Sequence, residues 1–251
     1  MIINSTIETI LNHRSIRKFK EEPLSKEQIE LIVNSAQAAS TSSFVQAYTI
    51  IGVKDKEKKR KLAEIAGNQS YVEHNGHFFV FCADLYRHEL AAEMEGKDIS
   101  KSIESTETFM VALIDAALAS QNAVLAAESM GLGACYIGGI RNHLEDVQNV
   151  LKIPRRVLPL FGLAIGHPLD ESSQKPRLPL SNIYHEEEYQ QDIEHFKGEL
   201  KQYNQEISMY YAERTNGNRR DTWTEQMSTM LQIPKRTYMR EYLTKQGFGL
   251  D

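Results

Sequence analysis

Three permanent cations and a histidine fall within the six residues His13-Arg14-Ser15-Ile16-Arg17-Lys18, and Phe19 follows. Guanidinium groups match phosphate oxygens in a bidentate way, and Ser15 adds a neutral donor. Ile16 and Phe19 are placed to anchor the segment inward. A solvated basic turn after a helix is the competing reading. Two more basic segments lie far down the chain. In Lys175-Pro176-Arg177 the proline holds two cations in a defined direction. The loop from Arg214 to Arg220 joins an Asn-Gly turn to three arginines, and suits an exposed phosphate as well as it suits solvent. Ser40-Thr41-Ser42-Ser43 is hydroxyl-rich and favours a loop, either a plain turn or a set of small donors beside a ligand. Gly138-Gly139, at a strand end, offers bare backbone to a flat ligand.

Other chemistries find no support. The glycines from Gly131 to Gly139 fail the dinucleotide fingerprint, because Tyr136 stands at the third glycine and the run follows a helix instead of a strand. No phosphate-binding P-loop, nucleophile elbow or zinc spacing occurs. His74 and His77 lack a third ligand. Cys82 and Cys135 sit far apart in apolar runs and read as small buried hydrophobes. A net charge of −5 over 251 residues argues against general nucleic-acid binding. The N-terminal residues read as no signal peptide, so a reducing cytoplasmic setting is expected.

The elements that must position these residues follow from periodicity. Ser5-Thr6-Ile7-Glu8 reads as a capping box opening a short helix with Ile7, Ile10 and Leu11 on one stripe. Ser25 to Gln28 opens a second helix, striped by Ile29, Ile32, Val33 and Ala36. Tyr48–Val53 reads as a strand, and Asp55 caps a charged helix closed by Gly67, with Lys56 to Lys61 as a solvated face. Phe78–Ala83 is a strand covered on both faces. Glu107 to Met130 is a helix apolar almost all round, about 35 Å long. Its Asp115, Gln121, Asn122 and Glu128 disfavour a membrane span and point to a core and subunit interface. Asn142 is expected to cap a helix to Leu151, and Val157–Gly166 is a buried strand. His185 to Arg214 reads as a long polar helix wrapping a partner or the body, and Asp221 as the cap of a last helical region with Trp223.

The ordered set of His13 to Arg17, Ser40 to Phe44, Gln69, Tyr136-Ile137-Gly138-Gly139, Lys175-Pro176-Arg177 and Arg214 to Trp223 resembles the oxygen-insensitive nitroreductase and flavin reductase family, in its larger, NADPH-preferring branch. The resemblance implies an α+β nitroreductase-like fold, with a mainly antiparallel sheet flanked by helices in an intertwined homodimer. It implies a core over residues 1–184 and a helical extension over 185–251 that wraps the dimer and contributes to the NADPH site.

One FMN at each dimer interface is implied, with NADPH as electron donor. By motif, Arg14, Ser15 and Arg17, flanked by His13 and Ile16, would join Lys175, Pro176 and Arg177 around the phosphate, ribityl chain and N1–O2 edge. Thr41 and Ser43 would reach the flavin from the partner-side loop, and Gln69 would bond the ring's rim. Tyr136, Ile137, Gly138 and Gly139 would lie at the ring. Arg214 and Arg219 would grip the NADPH 2′-phosphate, and Glu107 would pair with Arg17. No side chain is needed as nucleophile or metal ligand. Hydride transfer to the flavin, then two-electron reduction of a nitroaromatic, quinone or free flavin on one open face, implies ping-pong kinetics. Oxidase or disulfide reductase activity keeps the same fold. A non-catalytic binder of RNA or an acidic partner is the reading from another class, disfavoured by net charge and by few interleaved aromatics.

Overall fold

The computed structural model describes residues 3–170 and 172–249. The chain divides into two compact units, one holding residues up to Ser172 together with those from Arg236 onward, the other Ser173–Lys235. That division differs from the expected break at 184/185 at both ends. Arg156 explains the return of the C-terminal segment: its guanidinium donates to Glu89 and Glu104, each at 2.7 Å, and to the Gly247 carbonyl.

The first unit is α+β. Its sheet has the order β1-β2-β4-β3, from β1 (Tyr48–Val53), β2 (His77–Asp84), β3 (Gly133–Ile137) and β4 (Val157–Gly166), and every pair is antiparallel. The apolar run in β2 is buried throughout. Alternation sends Phe79, Phe81 and Ala83 to one core, and Phe78, Val80 and Cys82 to the other. α2 (Lys26–Gln37), α7 (Thr106–Ser129) and α11 (Met239–Lys245) cover the first face; α3 (Lys56–Ile65) and α8 (Leu144–Leu151) cover the second. Both cysteines are buried free thiols. The short helices α4 (Ser70–Glu73), α5 (Tyr86–Met94) and α6 (Ser100–Ile103) complete this part of the chain. α5 and α6 carry little apolar periodicity and went unread in the sequence.

Several local expectations need correction. α1 (Ser5–Leu11) is capped by Asn4, whose side chain accepts from the Ile7 amide, and none of its residues is buried. Ser25 and Gln28 do form a reciprocal capping box. Asn142 does not cap α8; its side chain donates to the Ile65 carbonyl and accepts from Arg236. Lys59 is not solvated: it is buried, and its ammonium donates to the Asn75 carbonyl at 3.0 Å. Among the described residues α7 alone is long and apolar enough to cross a membrane, yet it carries the buried carboxylate Asp115 and packs on α2 and the sheet.

In the second unit, the helix expected from His185 begins later, as α9 (Ile193–Arg214), capped by Asp192. It forms a small core of its own: Tyr203, Ile207, Tyr210 and Tyr211 pack with Leu178 and Trp223. Thr222, not Asp221, caps α10 (Trp223–Leu231), because Asp221 is engaged by Arg219.

His77, at the start of β2, is buried against Phe79 with ring centroids 4.4 Å apart. Burial, then the charges of Lys59 and Lys54, push its pKa down to about 4. A folded-state pKa below the ordinary 6.5 means that protonation favours unfolding, so stability is held above pH 6.5 and falls as pH drops toward 4. Urea unfolding is expected to show a loss of about 2 kcal/mol from this group between pH 7 and pH 5. His77→Phe is expected to flatten that part of the profile; an unchanged slope contradicts the assignment.

Candidate active site

The basic segment that opens the chain is not a loose turn. Ser15 forms a parallel bridge to Ala134 of β3, and the Ile16 amide donates to the Ala134 carbonyl at 3.0 Å. Further on, Lys20 donates to the His167 carbonyl and Leu169 to that of Lys18. The segment is thereby laid along the free edge of β3. Ile16 and Phe19 are buried beneath it, as their apolar character predicts. Gly133 makes this possible: a Cβ there would stand 2.6 Å from Ile16 Cγ1. His13 is held differently, its Nδ1 lying 2.7 Å from Glu128 Oε1 near the end of α7. Its side chain is therefore an anchor. Arg14 is half-buried.

Arg17 lies where the electrostatic influences on Tyr71 and Cys135 meet. Burial raises the pKa of both groups, and the Arg17 charge opposes it in each. Among the described residues no carboxylate pairs with Arg17. The Tyr71 hydroxyl donates to Gln69 Oε1 at 2.6 Å, and Gln69 Nε2 donates to the Ala66 carbonyl at 3.0 Å. That carbonyl is what a Cβ on Gly139 would strike, at 2.5 Å. The same small region thus gathers Arg17, Tyr71, Gln69 and the Gly138-Gly139 backbone. Glycine at 139 is required by this internal approach, a reason the sequence did not disclose. Tyr71 was missed, having no motif to mark it.

Other expected residues are elsewhere. Ile137 is buried, so only its backbone is available, while Tyr136 turns to the opposite face of the sheet and donates to Ser120 of α7 at 3.1 Å. Thr41 and Ser43 belong to a loop in which Ser43, Phe44 and Gln46 all have left-handed φ. Buried Asp115 holds that loop, accepting from the amides of Ser42 at 2.9 Å and Ala47 at 3.0 Å. Asp115 and Glu128 are thirteen residues apart on α7, about 20 Å along the axis. One chain therefore does not bring Thr41 and Ser43 to His13. Glu107, exposed in the first turn of α7, is farther still, and within one chain it does not pair with Arg17.

The second unit gathers its own cations. Lys175 donates to the Tyr211 hydroxyl at 2.8 Å, and Arg219 stacks 4.3 Å from the centroid of the same ring. Arg214 donates to the Tyr210 hydroxyl at 2.8 Å. The Tyr203 hydroxyl donates to the Pro176 carbonyl and so fixes the loop bearing Lys175 and exposed Arg177 to α9. Burial alone would raise the Tyr211 pKa, but the hydrogen bond and charge of Lys175 bring it below the ordinary phenol value. Arg219 also pairs with Asp221. Two basic segments far apart in sequence thus meet on one pair of tyrosines.

A guanidinium with no carboxylate partner among the described residues, an amide side chain and glycine backbone form a donor set that fits a flat anionic cofactor.

Residues 10–167 match the profile of the Nitroreductase family, and residues 175–251 match the Nitroreductase family, C-terminal domain. The chain is 59% identical over 247 residues to the FMN reductase (NADPH) of Bacillus subtilis (strain 168), covering 98% of this chain and 99% of that one. It superposes on NfrA1 of B. megaterium with a TM-score of 0.96 at 68% identity, covering 98% and 99% of the two chains. With the NADPH:FMN oxidoreductase of Vibrio harveyi, solved in complex with NAD+, the TM-score is 0.87 at 39% identity, covering 97% and 98%.

Gly133→Ala is expected to force Ile16 off the edge of β3, at a cost of roughly 1–3 kcal/mol. Hydrogen exchange checks the local effect: the Ile16 amide should lose protection before the β2 amides do.

Proposed function

Because the chain belongs to the nitroreductase family, we propose that it is an FMN-dependent oxidoreductase drawing electrons from NADPH, with nitroaromatics, quinones and free flavin as acceptors used in a ping-pong cycle. The observation that carries this reading is Arg17, a cation with no carboxylate partner among the described residues, beside Gln69, Tyr71 and the Gly138-Gly139 backbone. Bound FMN supplies the group that accepts hydride and passes on two electrons. Arg17 would favour negative charge gathering beside it, Ser15 and Gln69 would add neutral donors, and the Gly138-Gly139 backbone would hold the cofactor at the strand end.

A homodimer completes the site. Ile7, Ile10 and Leu11 of α1, with Met110, Ile114 and Leu118 of α7, are exposed, and these two helices pack together. Exposed apolar side chains gathered on two packed helices are what a second copy would cover. The loop holding Thr41 and Ser43 is anchored about 20 Å along α7 from His13, so both contact one cofactor only when the loop comes from the partner.

In the second unit, Arg214 and Arg219 on Tyr210 and Tyr211 are the set we assign to the NADPH 2′-phosphate.

Purified protein is expected to be yellow and to bleach on anaerobic addition of NADPH. Arg17→Ala should weaken FMN binding by roughly tenfold or more, given about 1.5–3 kcal/mol for a charge-assisted hydrogen bond. Full retention of FMN by that variant through dialysis rules out the arginine as an anchor. Steady-state assays test the nucleotide assignment. Replacing Arg214 and Arg219 together by alanine should raise KM for NADPH roughly tenfold or more and leave NADH use nearly unchanged. Equal losses with both nucleotides would refute it.

A further inference from the structure

At the end of the sheet where β1 stops and β2 begins, a cavity of about 480 Å³ opens between the start of α2, α3 and the turn before β2. A second, of about 410 Å³, shares Leu24, Ile29, Lys54 and His77 with it and runs on beneath α2. Neither includes Arg17, Gln69 or the Gly138-Gly139 backbone among its lining residues.

Three polar side chains lining the first cavity are more than nine-tenths buried and incompletely partnered. Lys59 has three N–H donors and one protein acceptor, the Asn75 carbonyl. Asn75 gives its amide protons to the carbonyls of Tyr71 and Val72, which leaves Oδ1 with no donor. His77 Nε2 has no partner, and it points over Gly52, where a Cβ would stand only 2.8 Å away. Buried polar groups are rarely left in this condition.

The charges at the mouth select the ligand's sign. Lys54 and Lys56 join Lys59 among the lining residues. The two carboxylates there, Glu21 and Glu73, lie 3.6 and 4.0 Å from His74, and Glu73 also attracts the Lys59 ammonium, so the three lysines are only partly offset. In the adjoining cavity Lys26 and Glu30 pair with each other at 3.4 Å. The floor therefore offers cations and an imidazole, a poor cage for a metal ion, and no three-ligand metal cluster exists among the described residues. His77 is neutral at physiological pH, so it is available as an N–H donor or an acceptor.

We infer that this cavity binds a small oxyanion that also bears an O–H group, a hydrogen phosphate or a hydroxycarboxylate. Lys59 and Lys54 balance its charge, His77 Nε2–H donates to one oxygen, and Asn75 Oδ1 accepts the hydroxyl proton. The single requirement for both an anion and a hydroxyl comes from the two orphaned atoms together: a donor alone would satisfy a bare anion, whereas Asn75 Oδ1 needs a proton.

Imidazole carbon–proton NMR spectra of the flavin-loaded protein at pH 7 test this, with His77 assigned by its loss in His77→Phe. Inorganic phosphate, lactate, sulfate and acetate are titrated at constant ionic strength. The His77 resonance should shift saturably with phosphate or lactate, and sulfate and acetate, which lack the hydroxyl, should need roughly tenfold more. Saturation by phosphate alone or by lactate alone supports the site and names the class. No saturable shift, or an equal response to all four anions, overturns the proposal. Lys59→Met should abolish the shift, and Lys54→Met, at an exposed position that folding does not need, should weaken it several-fold. A shift undiminished in either variant also overturns it.

Discussion

Everything at the candidate site depends on one edge contact, the seating of Ile16 in the notch left by Gly133 while its amide bonds to Ala134. A six-residue stretch rich in positive charge would otherwise be held apart by its own repulsion and hydration. Burial of Ile16 and Phe19, with backbone pairing to β3 and to the segment after β4, overcomes that tendency. Arg17 then has a fixed address beside Tyr71, Gln69 and the glycine turn.

The long helix α7 serves two ends of the same assembly. Glu128 near its C-terminus holds His13, and Asp115 in its middle holds the strained loop containing Ser43, Phe44 and Gln46. Three residues with positive φ cost conformational energy, and charge-assisted hydrogen bonds to a buried carboxylate offset it. On either side of Asp115 the helix leaves Met110, Ile114 and Leu118 exposed. A ligand touched by both anchored segments is thus a ligand shared between two copies.

Buried polar groups in the first unit fall into two kinds. Asp115 and Arg156 are fully engaged by the protein and act as structural ties. Lys59, Asn75 and His77 share a cavity and are only partly engaged. The contrast is physical: the first kind links elements distant in sequence, whereas the second surrounds a space.

Sequence by itself determined the element types wherever apolar periodicity was strong. The strands Tyr48–Val53 and Val157–Gly166, the capping box at Ser25 and the long helix stopped just before the left-handed Gly131 follow from local patterns that tertiary contacts reinforce. Motif order likewise carried the family and the residues that meet near Arg17. Only the tertiary structure decided which side chains those residues face. It showed that Tyr136 and Ile137 point to opposite faces, that His13 is taken by Glu128, and that Lys175 and Arg219 meet on Tyr211. It also buried Lys59 within a helix whose charge pattern reads as solvated. The reason is range: propensity and spacing act over one or two turns of chain, whereas a charge's partner is chosen by segments folded against it from far away.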